Sequence, residues 1–183
     1  MLEKELKILE IPVGEVVQKL EELGAEKHFE GVIHDVYYDF PDELEHKMEA
    51  NGRMFRLRKK GEEHIYTIKN KRKEIKRQEG LIAKDEHEMP VSDIESFAKV
   101  LEKYGMQKTR EKQKHRISYR LGEVEFDIDD YENGIPPLLE IEAHDKKTIV
   151  KWQEQLGLSE YKTLIGGSRK LFRNYGIDYN YLD

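Results

Sequence analysis

The 183-residue sequence contains no cysteine, one tryptophan and five prolines. The missing thiol excludes a disulfide scaffold, a thiolate metal centre and a cysteine nucleophile. No apolar run approaches the roughly 18 residues of a membrane span, and no charged-then-apolar leader opens the chain. A cytoplasmic protein with no membrane partner is therefore expected. A surplus of basic charge is missing too: 32 Lys and Arg stand against 38 Asp and Glu, a net charge of −6. Affinity for a phosphodiester backbone needs a cationic excess, so no nucleic-acid partner is expected.

Charge of both signs is what the chain has in abundance. Asp, Glu, Lys and Arg make up 38% of it, against about 25% in an ordinary soluble domain. Leu, Ile, Val and Phe still supply over a quarter of the residues, above the ~20% level below which chains stay disordered. One domain spanning residues 1–183 suits the length.

Period-two alternation predicts a strand over Leu2–Ile11. Pro12 opens a helix through Val13, Val16, Val17, Leu20 and Leu23, which Gly24 ends. Strands are predicted over Val32–Phe40, Met54–Lys59, His64–Lys69 and Ile82–Met89, with charged loops reaching Asn51-Gly52 and covering Asn70–Gly80. Ser92 and Glu95 read as a capping box for a helix that Gly105 closes. Strands follow over Lys112–Leu121, Glu123–Tyr131 and Leu138–Ala143, then a helix from Asp145 to Leu156 and a short element over Ser168–Asn174.

The chain also resembles itself at an offset of 81 residues. Leu20/Leu101, Glu21/Glu102, Gly24/Gly105, Lys27/Lys108, Glu30/Glu111, His34/His115 and Tyr38/Tyr119 are identical pairs. Each half then reads as strand, helix and antiparallel strands, and two halves combine into one sheet.

Within the strands, charge keeps to one parity. Arg56 and Arg58 oppose Phe55 and Leu57; Lys69 opposes Ile68; Lys114 and Arg116 oppose Ile117. Glu125, Asp127 and Asp129 oppose Val124, Phe126 and Ile128, while Glu140 and Glu142 oppose Leu139 and Ile141. A sheet with one face in water explains any single strand. Like charges repeated at i, i+2 across so many strands repel unless a counter-charge or ligand lies between them. The helices, moreover, need an apolar sheet face to cover. Charge facing inward satisfies both demands, giving an α+β fold: an antiparallel barrel with a polar lumen and an apolar exterior under helices. Arg56, Arg58, Lys69 and Arg116 suit phosphate oxygens, and Glu5, Asp127, Glu140 and Glu142 suit a hard cation such as Mg²⁺ or Mn²⁺.

The chain resembles the CYTH superfamily, the triphosphate tunnel metalloenzymes. Glu3-Lys4-Glu5-Leu6-Lys7 matches the family's E-x-E-x-K signature. Asp35–Asp39, Arg56-Leu57-Arg58, Thr67-Ile68-Lys69, Glu86-His87-Glu88, Lys114-His115-Arg116, Asp127-Ile128-Asp129 and Leu139–Glu142 follow in family order. The resemblance implies an eight-stranded antiparallel tunnel flanked by helices. It implies Lys7, Arg56, Arg58, Lys69, Lys114, Arg116 and Lys170 as triphosphate ligands, with Lys7 also placed to assist proton transfer or the leaving group. It implies Glu3, Glu5, Asp127, Asp129, Glu140 and Glu142 as ligands of Mg²⁺ or Mn²⁺. The partner is a small-molecule triphosphate, and the protein is a monomer or homodimer. Metal-dependent hydrolysis of tripolyphosphate, thiamine triphosphate or a nucleoside triphosphate is the leading expectation. A class IV adenylate cyclase and a non-catalytic polyphosphate or nucleotide binder are the alternatives.

Other conspicuous residues have plainer readings. His34 and His115 suit packing or surface positions, Trp152 the core, Lys69–Lys73 a solvated loop, and Gly166-Gly167 a hinge.

Overall fold

A computed structural model describes residues 2–41, 53–71 and 82–177. Eight strands carry the architecture: β1 (Leu2–Leu9), β2 (Glu26–Asp39), β3 (Arg53–Lys60), β4 (Glu63–Lys71), β5 (Ile82–Pro90), β6 (Gln107–Leu121), β7 (Val124–Asp130) and β8 (Leu138–Ala143). Four helices accompany them among the described residues: α1 (Val13–Glu22), α2 (Ile94–Lys103), α3 (Lys146–Gln155) and α4 (Ser168–Asn174).

Neighbouring strands run antiparallel in the order β5-β4-β3-β2-β6-β7-β8-β1, and β1 pairs back onto β5. That last seam joins Leu2–Glu5 to Ile82–Asp85 only. Further along, β1 parts from β5 and pairs with a ninth, two-residue strand, β9 (Thr163–Leu164). The ring of eight anticipated from sequence is thus joined along part of its length and carries one strand more. Its fold class is α+β, as expected.

Hydrophobic burial lies outside the ring. Leu6 and Ile8 of β1, Phe126 and Ile128 of β7, and Leu139 and Ile141 of β8 pack under α1 and α3, beside Val16, Leu20 and Ile149. Phe126 meets Trp152 edge-on, with centroids 5.2 Å apart. On the other side, α2 places Phe97 and Leu101 over Tyr38, Leu57 and Tyr66. Burying each such side chain contributes about 1.5–3 kcal/mol, so the outer shell supplies the stability that the charged interior lacks. At one end the inward parity itself turns apolar. Leu9 follows Lys7, Leu138 precedes Glu140, and α4 lays Leu171 and Phe172 on them and on Tyr131. The lumen has an apolar stopper there.

The internal repeat is visible atom by atom. After α1, the amides of Leu23, Gly24 and Ala25 donate to the carbonyls of Lys19, Glu21 and Leu20. After α2, Tyr104, Gly105 and Met106 donate to Val100, Glu102 and Leu101. Gly24 and Gly105 have φ of 81° and 88°, the left-handed value that glycine reaches without a Cβ clash. The surface pairs Lys27–Glu30 and Lys108–Glu111 recur at the same offset.

Three element starts differ from the sequence reading. β2 and β6 begin earlier, at Glu26 and Gln107, because their charged ends pair with neighbouring strand backbone from Glu26↔Arg120 to Asp39↔Gln107. The helix α2 is capped by Asp93, not Ser92: the Asp93 carboxylate accepts from Ser96 N at 2.9 Å and from Ser96 Oγ at 2.6 Å. A carboxylate is the better acceptor at a helix's positive end, so the frame shifts by one residue. Most of the two charged loops lies outside the described residues.

Candidate functional site

Among the described residues, side-chain alternation sends one charged parity of the strands into the lumen. Two clusters of ion pairs result, and both are built on residues directly opposite each other on neighbouring strands.

The first cluster centres on Asp35 of β2, which faces Arg58 of β3 and Lys112 of β6. Arg58 donates to its carboxylate twice, from Nε at 2.7 Å and Nη2 at 3.0 Å. Lys112 Nζ lies 3.4 Å away, and Arg56 Nε 3.9 Å away. Burial pushes the Asp35 carboxyl up, but Arg58, Arg56 and Lys112 hold it well below the usual aspartate range. Arg56 donates through Nη2 to Thr67 Oγ1 at 3.0 Å and to Glu88 Oε1 at 3.2 Å. Tyr37 lies beside them, and the Arg110 guanidinium covers its ring at 4.1 Å.

The second cluster centres on Arg116 of β6, opposite Asp129 of β7. Its Nε donates to Asp129 Oδ1 at 2.5 Å and its Nη2 to Asp129 Oδ2 at 2.7 Å. Its Nη1 donates to Asp127, and its Nη2 approaches Glu140 at 3.4 Å. Lys114 Nζ meets Asp129 Oδ2 at 2.5 Å. Lys7 of β1 bridges Glu5 at 3.0 Å and Glu140 at 2.9 Å.

The electrostatics separate the two lysines. Burial pulls Lys7 down, but Glu140 and Glu5 outweigh it and hold the ammonium above its ordinary range. Burial and then the Arg116 guanidinium bring Lys114 down to about 7, against the pull of Asp129 and Glu140. Two cations contest one aspartate, and the arginine holds its proton. Burial pushes Glu140 up, yet Lys7, Lys114 and Arg116 keep it well below the glutamate range.

The structure thus brings Lys7, Arg56, Arg58, Lys114, Arg116, Glu5, Asp127, Asp129, Glu140 and Glu142 onto the inward parity of the strands. Glu3 and Lys69 occupy matching register positions on β1 and β4, and their side chains lie outside the described residues. Lys170 stands apart: it is exposed on α4, and its Nζ donates to Ile165 O at 3.0 Å. Missing from the sequence-derived set were the buried Asp35 and Arg110 and Lys112, whose side chain is 9% exposed. Stepping back by two from Lys114 would have found Lys112 and Arg110. Asp35 lay within a quoted motif, but its partners sit 23 and 77 positions away.

Among the described residues no three His, Asp or Glu side chains already converge as a metal-holding group. The donor chemistry nevertheless fits a hard cation. Glu142 faces Glu5 on one side and Glu125 on the other, and like charges directly opposite on a sheet repel. Glu5 and Glu140 meanwhile converge on the Lys7 ammonium, so carboxylate oxygens already gather about a positive point. Asp127 and Asp129 both lie on Arg116.

An antiparallel tunnel, apolar outside and lined within by guanidinium, ammonium and carboxylate groups, defines the class of this protein: a polar-lumen β-tunnel. The CYTH domain model matches residues 1–168, and the chain belongs to that family. A Vibrio parahaemolyticus protein named as a candidate adenylate cyclase shares the fold with a TM-score of 0.74 at 18% identity, over 94% of this chain and 98% of that one. A Hippeastrum protein, a candidate adenylyl cyclase described as having a dominant triphosphatase activity, superposes with a TM-score of 0.65 at 16% identity, over 97% and 96% of the two chains. A Pyrococcus horikoshii protein gives 0.68 at 23% identity, over 87% and 94%. A search of curated proteins gives no match. No helix among the described residues is long and apolar enough to cross a membrane.

Proposed function

We propose that this chain is a metal-dependent triphosphatase that hydrolyses a triphosphate held in its lumen, be it tripolyphosphate, thiamine triphosphate or a nucleoside triphosphate. One observation carries the reading: among the described residues, the two walls of a single lumen have opposite charge balance. Around β2 to β5 and the first half of β6, Arg56, Arg58, Arg110 and Lys112 face Asp35, Asp39 and Glu88. Around β7, β8, β1 and the second half of β6, Lys7, Lys114 and Arg116 face Glu5, Glu125, Asp127, Asp129, Glu140 and Glu142. A triphosphate with a divalent ion presents anionic oxygens to the first wall and a cation to the second.

Arg56 and Arg58 would orient the phosphate chain, because a guanidinium fork matches two phosphoryl oxygens. Arg116, Lys114 and Lys69 would neutralise its remaining oxygens. Glu5, Glu140 and Glu142 would hold Mg²⁺ or Mn²⁺, with Glu3, Asp127 and Asp129 completing the acidic set. A bound ion of that kind supplies Lewis-acid polarisation of a phosphoryl oxygen. Lys7, kept protonated by its two glutamates, would act as a fixed positive charge for the leaving oxygen rather than as a base.

A phosphate-release panel tests the reading, using tripolyphosphate, thiamine triphosphate and ATP with Mg²⁺ or Mn²⁺, alongside a cyclic-AMP assay. Orthophosphate from at least one substrate, dependent on the added metal and without cyclic AMP, is the expected result. Cyclic AMP with pyrophosphate from ATP would make the protein a class IV cyclase. Tight binding with no product would make it a binder. Either outcome overturns the proposal.

A further inference from the structure

Two arginines in this lumen are held by the same device. Asp35 clamps Arg58 through Nε to Oδ1 and Nη2 to Oδ2, at 2.7 and 3.0 Å. Asp129 clamps Arg116 through the same atoms, at 2.5 and 2.7 Å. Each aspartate also takes one lysine of β6 on Oδ2: Lys112 on Asp35, Lys114 on Asp129. In each clamp the arginine and aspartate face each other across a strand pair.

The two clamps differ in what remains for a ligand. Arg116 spends Nη1 on Asp127 and shares Nη2 with Glu140. Arg58 has no such second partner: among the described residues its hydrogen bonds all go to Asp35. Burial sets the order of the layers. The Asp35 side chain is 1% exposed and that of Arg58 14%, so the carboxylate stands behind and the guanidinium in front.

We propose that Asp35 is a positioning residue, a buried counter-anion that grips Arg58 by its Nε–Nη2 edge and aims the Nη1 side at the phosphate chain. A carboxylate among phosphate-binding cations competes with the substrate for them, which argues against a role in ground-state affinity. Its service is to fix direction. An unclamped arginine samples many rotamers, and Arg56, Arg58 and Lys112 without a counter-charge would repel one another. A clamped fork meets the phosphoryl oxygens with its geometry already set. This inference rests on the triphosphatase reading and assigns Asp35 a part in it.

The test is a double-mutant cycle on tripolyphosphate turnover with Asp35→Asn and Arg58→Ala, combined with calorimetric Kd values for tripolyphosphate. In the Arg58 background, Asp35→Asn should lower kcat about 10- to 100-fold, the scale of a misplaced reacting group. Its Kd should stay within about threefold, because the added net positive charge offsets the lost order. In the Arg58→Ala background, Asp35→Asn should change kcat by no more than about twofold, since it acts through an arginine no longer present. Full additivity, an unchanged kcat in Asp35→Asn, or a Kd weakened tenfold overturns the inference while leaving the triphosphatase reading intact. A wild-type protein that releases no phosphate overturns both. Should Asp35→Asn fail to fold, Arg58→Lys takes its place, keeping the charge without the two-point clamp. An unaltered kcat in Arg58→Lys then sinks the inference, and a tenfold loss at unchanged Kd upholds it.

Discussion

The wall built on Arg58 and the wall built on Arg116 use one clamp and end in different states. Both arginines are gripped by a buried aspartate along the same edge. Arg116 is then engaged at its remaining nitrogen by Asp127 and again at Nη2 by Glu140, whereas Arg58 keeps its Nη1 side uncommitted among the described residues. A cation engaged at all three nitrogens meets a phosphate chiefly through its charge, whereas one with an open side is poised to hydrogen-bond it. What decides between them is the acid count of the neighbouring strands. Next to Arg116 stands β7, with Asp127 and Asp129 on the inward parity, and beyond it β8 brings Glu140. Next to Arg58 stand β2 and β4, with Asp35 and Thr67.

Removing the acids should do the most damage. In the double variant Glu140→Gln/Glu142→Gln, phosphate release should fall about a thousandfold, the several kcal/mol that a bound metal supplies to phosphoryl transfer. The optimum in a Mg²⁺ titration should disappear with it. Phosphate release with an intact metal optimum would show that the acid-rich wall is not where the cation sits.

The clamps themselves should separate next, this time in stability. Arg116→Met takes a partner from each of three lumen carboxylates, leaving, among the described residues, Asp129 only Lys114 and Asp127 only the Ser118 hydroxyl, so it should cost about 3–5 kcal/mol in urea unfolding. Arg58→Met leaves Asp35 with Lys112 at 3.4 Å and Arg56 at 3.9 Å, and should cost clearly less. Equal losses would mean that the second cluster is no more locked than the first.

A third contrast is read in protons. Burial and the Arg116 guanidinium bring Lys114 down to about 7, so at pH 7 it is near half-protonated. A bound polyanion favours the ammonium and raises that value, so binding takes up protons. The uptake should be near half a proton at pH 7, larger at pH 8 and small at pH 6. Calorimetry of metal-free tripolyphosphate in buffers of different ionisation enthalpy measures it. The difference between wild type and Lys114→Met removes the ligand's own protonation. The unfolded chain keeps the proton up to about pH 10.4, so this group also makes folding stability rise with pH between about 7 and 10. Lys7, held above its range, should contribute no uptake at these pH values.

Much of this molecule is legible without coordinates, for a physical reason. A barrel strand has period two, so an inward set such as Glu125, Asp127 and Asp129 declares itself in one line of sequence. The helix ends at Gly24 and Gly105 are equally local. What stayed hidden depends on cross-strand register. That Asp35 lies between Arg58 and Lys112, or that Asp127 and Asp129 fall to Arg116, follows from which strands are neighbours and how they are aligned. The seam between β1 and β5 and the stopper of Leu171 and Phe172 on Leu9 and Leu138 are non-local in the same way. The cap of α2 was local yet misplaced, because Ser92–Glu95 and Asp93–Ser96 both satisfy the spacing and only the acceptor's strength separates them.

The smallest effect is expected at Lys170, which the family resemblance places among the phosphate ligands. Its ammonium donates to the carbonyl of Ile165, and its stem lies against Gly166, where a Cβ would come within 2.6 Å of it. Among the described residues it makes no ion pair with a lumen acid, so it belongs to neither wall. Swinging it inward would cost that hydrogen bond, about 1 kcal/mol, and disturb the contact with Gly166. Lys170→Ala should therefore leave kcat/KM for tripolyphosphate within about twofold, a change of under half a kcal/mol. A loss of tenfold or more would mean that α4 rearranges when substrate binds and that the phosphate-binding set extends from the strands onto the stopper. The contrast between the two walls would then have to include a third surface.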